Sequence, residues 1–234
     1  MVKDMTTGSP TRLILFFTLP LLVGNIFQQL YNMADTIIVG RTLGYKALAA
    51  VGGSSGSIMF LVFGFFFGLT CGLAVITAQR FGAHDEDGVR RSVAASLVMC
   101  AVITAAVTLL CVLGARPVLE LMRTPEDIID ETYNYLIVMF WGGWTIVFYG
   151  MLSSIIRALG DSRTPLYFLI ISSIVNVVLD FYFILSLKSG VAGAAWATVI
   201  AQGLSGVLCL VYMLRKFPIL RLRRHDWIFN AQFY

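Results

Sequence analysis

The sequence predicts an all-α polytopic membrane protein, a bundle of six transmembrane helices, on three observations. Of 234 residues, 58% are hydrophobic and 13% charged, against roughly 25% charged in an average soluble domain. Six apolar stretches reach or exceed the ~20 residues a helix needs to cross a bilayer. Short loops between them hold most of the Lys and Arg. The net charge of +4 therefore gives no basic face for nucleic acid.

The stretches run Leu13–Val39, Ala47–Ala78, Ser92–Leu113, Tyr133–Ile156, Leu166–Leu187 and Val191–Leu214. The first two are longer than a crossing requires, so they tilt, bend or project. Pro20 is the expected bend in the first, because it removes a backbone donor and crowds the preceding turn. The same stretch is too long for a leader and contains Asn25, Gln28, Gln29 and Asp35, so it is expected to stay attached. Glu86 and Asp87 suit the start of the third helix, and "RALGDSRTP" (157–165) reads as a turn leading into the fifth. Gly64, Gly68 and Gly72 form a small-residue stripe expected to admit a close helix neighbour. Gly142 and Gly143 either loosen the fourth span or allow tight packing. Cys71, Cys100, Cys111 and Cys209 lie in apolar runs without metal spacing, so neither a disulfide nor zinc is expected.

Twelve of the 17 Lys and Arg fall on one side: Lys3, Arg12, Arg80, Arg90, Arg91, Arg157, Arg163, Arg215, Lys216, Arg221, Arg223 and Arg224. The positive-inside rule puts both termini in the cytoplasm. Residues 1–214 form the transmembrane unit. Residues 215–234, with Pro218 and His225, form a basic tail suited to the inner membrane surface.

Polar residues inside the spans are the functional signal. At 100° per residue, Asn25, Gln28, Gln29, Tyr31, Asn32, Asp35 and Thr36 share one arc of the first helix. Asn176 and Asp180 stack four residues apart on the fifth, and Thr198 and Gln202 repeat that spacing on the sixth. At 1.5 Å per residue, Asp35, Asp180 and Thr198 sit roughly 9, 12 and 12 Å below the outer boundary. An ionised carboxyl there costs about 2.5–3.5 kcal/mol on insertion scales and marks an ion or substrate route. Two such groups call for a shared proton, or for a cation with Asn176 and Thr198 completing an oxygen shell. The absence of a GxxxxGK[ST] loop and of any nucleophile–base pair argues against an enzyme. Energy for transport would then come from an ion gradient.

The stretches "LPLLVGNIFQQLYNMADTIIVGRTLGYKALAAVG", "RALGDSRTP", "NVVLD" and "GVAGAAWATVIAQ" resemble those of the MATE family, the multidrug and toxic compound extrusion transporters. The resemblance implies one lobe of a twelve-helix antiporter built from two six-helix lobes around a V-shaped cavity. It also implies a cation site at Asp35, Asn176, Asp180 and Thr198, with Tyr31 beside it and Pro20 as the family's helix-bending proline. Gln28, Asn32 and Gln202 are expected as supporting polar lining. The coupling ion would be a proton or sodium, with no cofactor, and the substrate a small amphipathic, often cationic compound leaving across the cell's inner membrane. The basic tail then corresponds to a truncated inter-lobe linker, and the missing partner to a second lobe or a second copy. A lipid-linked oligosaccharide flippase of the wider superfamily is the alternative; it expects several cations in the cavity, whereas Arg and Lys here keep to the loops. A non-transporting fragment or scaffold is a further one.

Overall fold

A computed structural model describes residues 10–217 and Leu220. Lys3 and the part of the predicted basic tail from Pro218 on, Leu220 apart, lie outside the described residues, as does the side chain of Arg12.

Among the described residues, seven α-helices make six crossings. They are α1 (Pro10–Leu43), α2 (Tyr45–Gly52), α3 (Ser54–Gly82), α4 (Glu86–Leu121), α5 (Ile129–Ala158), α6 (Arg163–Phe181) and α7 (Gly190–Lys216). Among the described residues, six segments are long and apolar enough to span a membrane. Large side chains such as Leu15, Phe60, Leu110 and Val178 remain exposed around them, as a lipid-facing surface requires. This is a multi-pass membrane protein.

The second predicted span is two helices rather than one. The run "VGGSSG" (51–56) is a poor helix former, and the chain breaks at Gly53 between α2 and α3. Ser55 Oγ donates to the carbonyls of Val51 (2.8 Å) and Ala50, satisfying acceptors at the end of α2. α1 continues as one helix through Pro20. α4 starts where the acidic run predicts: Asp85 Oδ1 accepts the Gly88 N–H at 2.8 Å, with Glu86 and Asp87 in the first turn. The "RALGDSRTP" turn is built around Asp161, which is buried and accepts the N–H groups of Arg163 and Thr164 at 3.2 and 3.1 Å.

α5 and α7 form the centre. Gly142 lies under Val199 so closely that an added Cβ would overlap that side chain, and Gly206 makes room for Phe148 in the same seam. Of the two roles open to the paired glycines, tight packing is the one Gly142 takes. Thr145 Oγ1 donates to the Val199 carbonyl across the seam (3.1 Å). α6 is held to α7 by Ser172 Oγ donating to Ala201 O (2.6 Å) and Ser205 Oγ to Phe168 O (3.1 Å). A hydroxyl bonded to a helix carbonyl leaves no polar group stranded in an apolar interior.

The glycine stripe of α3 does not do what its spacing suggests. Gly64, Gly68 and Gly72 are exposed, and nothing lies within 4 Å of a Cβ built on any of them. Among the described residues, no helix covers that face. Spacing identifies a smooth helix face, but only the assembled bundle shows which neighbour meets it.

Candidate functional site

Three helices bring their polar residues to one level. Tyr31 Oη of α1 donates to Thr198 Oγ1 of α7 at 3.2 Å, and Asn176 Nδ2 of α6 donates to the same oxygen at 3.4 Å. One hydroxyl therefore ties α1, α6 and α7 together. One turn further along their helices, Asp35 of α1 and Asp180 of α6 lie close enough for their charges to interact, without a hydrogen bond between them. Asn176 and Asp180 are fully buried, Tyr31 nearly so, and Asp35 and Thr198 half-buried. The four-residue spacing on α6 places its amide and carboxyl on one face. The helix then widens into a π-helical turn at Tyr182–Ser186, directly after Asp180, an irregularity that recurs at functional sites.

Apart from the Thr198 hydroxyl, most oxygens of this cluster lack donors. Asp35 Oδ1, Asn176 Oδ1 and both carboxylate oxygens of Asp180 are buried without a hydrogen-bond partner. Two bare carboxylates at this depth would repel each other and forgo their hydration, a cost no neighbouring group offsets. A proton shared between them, or a small cation held by their oxygens, removes it. The donor set is all oxygen, which suits a hard ion. Among the described residues, no group of three or more His, Cys, Asp or Glu gathers.

The supporting residues divide. Gln28 and Gln202 lie below the cluster, where they line a cavity. Asn32 is exposed and does not join either group; only its backbone carbonyl is engaged, by Thr36 Oγ1 at 2.8 Å. The polar arc of α1 is too wide for the single strip that α6, α2 and α7 cover. Sequence reasoning missed Tyr135 of α5, which is buried and close enough to both carboxyls to feel their charge. A tyrosine near the start of an aromatic-rich helix carries no sequence signal that it faces an acid on another helix. It also placed Arg157 with the loop cations, whereas this residue belongs to the last turn of α5 and lines the cavity.

The MatE family model matches residues 20–182. The "Probable multidrug resistance protein YpnP" of Bacillus subtilis (strain 168) is 32% identical over 212 residues, covering 91% of this chain and 47% of that protein. Two solved structures are similar throughout. One, described as an outward-facing conformation of a multidrug resistance MATE family transporter of the MOP superfamily, superposes with a TM-score of 0.88 at 26% identity, over 99% of this chain and 51% of its own. The other, a MOP superfamily transporter from Pyrococcus furiosus with a binding pocket described as of reverse polarity, gives 0.89 at 26%, over 98% and 51%. The chain spans about half the length of the relatives it matches.

Proposed function

We propose, from the premise that this chain belongs to the MatE family, that it is the six-helix lobe of an ion-driven efflux transporter and that Asp35, Asn176, Asp180 and Thr198 form its coupling site. The observation that carries this reading is the approach of Asp35 to Asp180 across two helices, beside a hydroxyl bonded from Tyr31 and Asn176. Buried oxygens without donors support an occupant that brings positive charge. The ion is a proton or sodium, no cofactor takes part, and the exported compound is small and amphipathic.

The lobe sits in the cell's inner membrane with both termini in the cytoplasm, as the twelve inner-side cations imply. A second lobe, or a second copy of this chain, completes the pathway, because alternating access needs two bundles that move against each other. Coupling comes from differential affinity: the ion favours the arrangement in which α1 meets α6, and the substrate favours the other. The half-buried Asp35 on lightly covered α1 suits the moving half of such a pair.

In the assembled transporter reconstituted in liposomes, Asp35→Asn and Asp180→Asn are each expected to abolish efflux driven by an imposed proton or sodium gradient, while insertion and thermal stability are kept. Wild-type rates of gradient-driven efflux in both variants would remove the coupling role.

A further inference from the structure

On the inner side of the carboxyl cluster, a cavity of about 290 Å³ reaches from Gln202, one turn along α7 from Thr198, to the cytoplasmic turn at Ser162 and Pro165. It opens between α1 and α3, which do not pack against each other. Phe63, Phe66 and Phe67 of α3 and Tyr149 of α5 line it. Its polar groups are placed unevenly. At the inner end stands Arg157, whose Nη2 donates to Ser154 Oγ at 3.0 Å. Among the described residues no carboxylate pairs with it, and none lines the cavity. At the deep end stands Gln202, 7% exposed, with its Oε1 buried and unpartnered.

Each end asks for a different group. An arginine in a pocket walled by aromatic rings is little screened and binds a carboxylate or phosphate strongly, through a fork that matches two oxygens. A buried amide oxygen without a donor asks for a hydroxyl or N–H. The rings between them suit a flat apolar body. An organic cation would meet Arg157 with no counter-charge beside it.

We propose that this cavity binds an amphipathic organic anion lengthwise, its acidic group on Arg157, its apolar body against Phe63, Phe66 and Phe67, and a hydrogen-bond donor on Gln202 Oε1. This rests on the efflux reading and names a substrate class for it, differing from the cationic compounds the sequence suggests. The acidic group is supplied either by a soluble compound or by a lipid headgroup.

The test uses the full chain in phosphatidylcholine nanodiscs, without any ion gradient, and follows binding of fluorescent 6-hydroxy-2-naphthoate. The matching aminomethyl cation is expected to bind at least about tenfold more weakly. Arg157→Gln should lose about tenfold for the anion and remove the preference over the cation, and Arg157→Lys should restore part of it. Gln202→Leu should weaken 6-hydroxy-2-naphthoate several-fold and leave 2-naphthoate unchanged. Dioctanoyl phosphatidylglycerol serves as competitor. Displacement at concentrations below those of free naphthoate assigns the acidic group to a lipid, and failure to displace assigns it to a soluble compound; either outcome upholds an anion site. Equal binding of anion and cation, or wild-type anion binding by Arg157→Gln, overturns the proposal. Because the assay needs no gradient, loss of anion binding with Asp35-dependent efflux intact refutes the cavity assignment alone. Anion binding with efflux indifferent to Asp35 refutes the coupling site alone.

Discussion

α1 and the α5–α7 pair are both apolar helices in the same bundle, yet they are held in opposite ways. Half of the most apolar stretch of α5, and half of that of α7, is buried; none of the corresponding stretch of α1 is. The central pair meets through Gly142 under Val199 and through a threonine-to-carbonyl bond. α1 meets the bundle through the Tyr31–Thr198 hydrogen bond and through buried Ile38 and Val39 near its far end, while Ile26, Leu30 and Met33 stay exposed. In lipid, apolar surface is not driven inward, so association rests on close packing and a few polar contacts. The difference teaches that the polar cluster joins a firmly packed part of the fold to a lightly covered one. Asn176, Asp180 and Thr198 sit on α6 and α7, and Tyr31 and Asp35 sit on the lightly covered α1.

Substitutions can break or sharpen that contrast. The largest effect is expected at the central seam: Gly142→Leu, which drives a side chain into Val199, should cost about 3 kcal/mol or more in thermal unfolding in detergent. For the smaller Gly142→Ala, a companion Val199→Ala should recover most of the loss, since the two positions share one space. Next comes the tie between the α5–α6 turn and α7. Tyr212 Oη and Thr164 Oγ1 donate to Asp161 Oδ2 at 2.6 and 2.7 Å, and Asp161→Ala should cost about 1–3 kcal/mol.

That tie also predicts a pH dependence. Burial pushes the Asp161 carboxyl upward, but hydrogen bonds from Tyr212, Thr164 and the Arg163 N–H outweigh it and hold the group below the usual carboxylate range. Its contribution is therefore present above the unfolded-state value and is lost as pH falls through the depressed one. Asp161→Asn should flatten that acid-side loss in melting curves.

On α1 the effects shrink. Tyr31→Phe removes one hydrogen bond worth about 0.6 kcal/mol in a membrane interior, and should loosen α1 in hydrogen exchange without moving the melting of α5 and α7. Smallest of all, Ile26→Ala should change stability by under about 0.5 kcal/mol. A cost above about 1 kcal/mol in membranes would mean that a second lobe or second copy covers this face.

Much of this was legible beforehand because bilayer physics reads directly from composition. Six apolar segments, the Asp85 cap region and the paired spacings of Asn176 with Asp180 and Thr198 with Gln202 follow from helix geometry applied to one segment at a time. The break at Gly53 was harder to see, because the flanking residues keep the run apolar enough to look continuous. The glycine stripe was misjudged because a helix face is visible in sequence, but its neighbour is not.

The sequence by itself determined that the chain crosses a membrane six times and that its interior carboxyls must find company, since both depend on the cost of polar groups in hydrocarbon. Only the tertiary structure decided that Asp35 lies near Asp180, that Thr198 joins Tyr31 to Asn176, and that Arg157 lines a cavity. Those pairings join residues as many as 167 positions apart, and the choice among helix neighbours is made by packing across the bundle, which no single segment encodes.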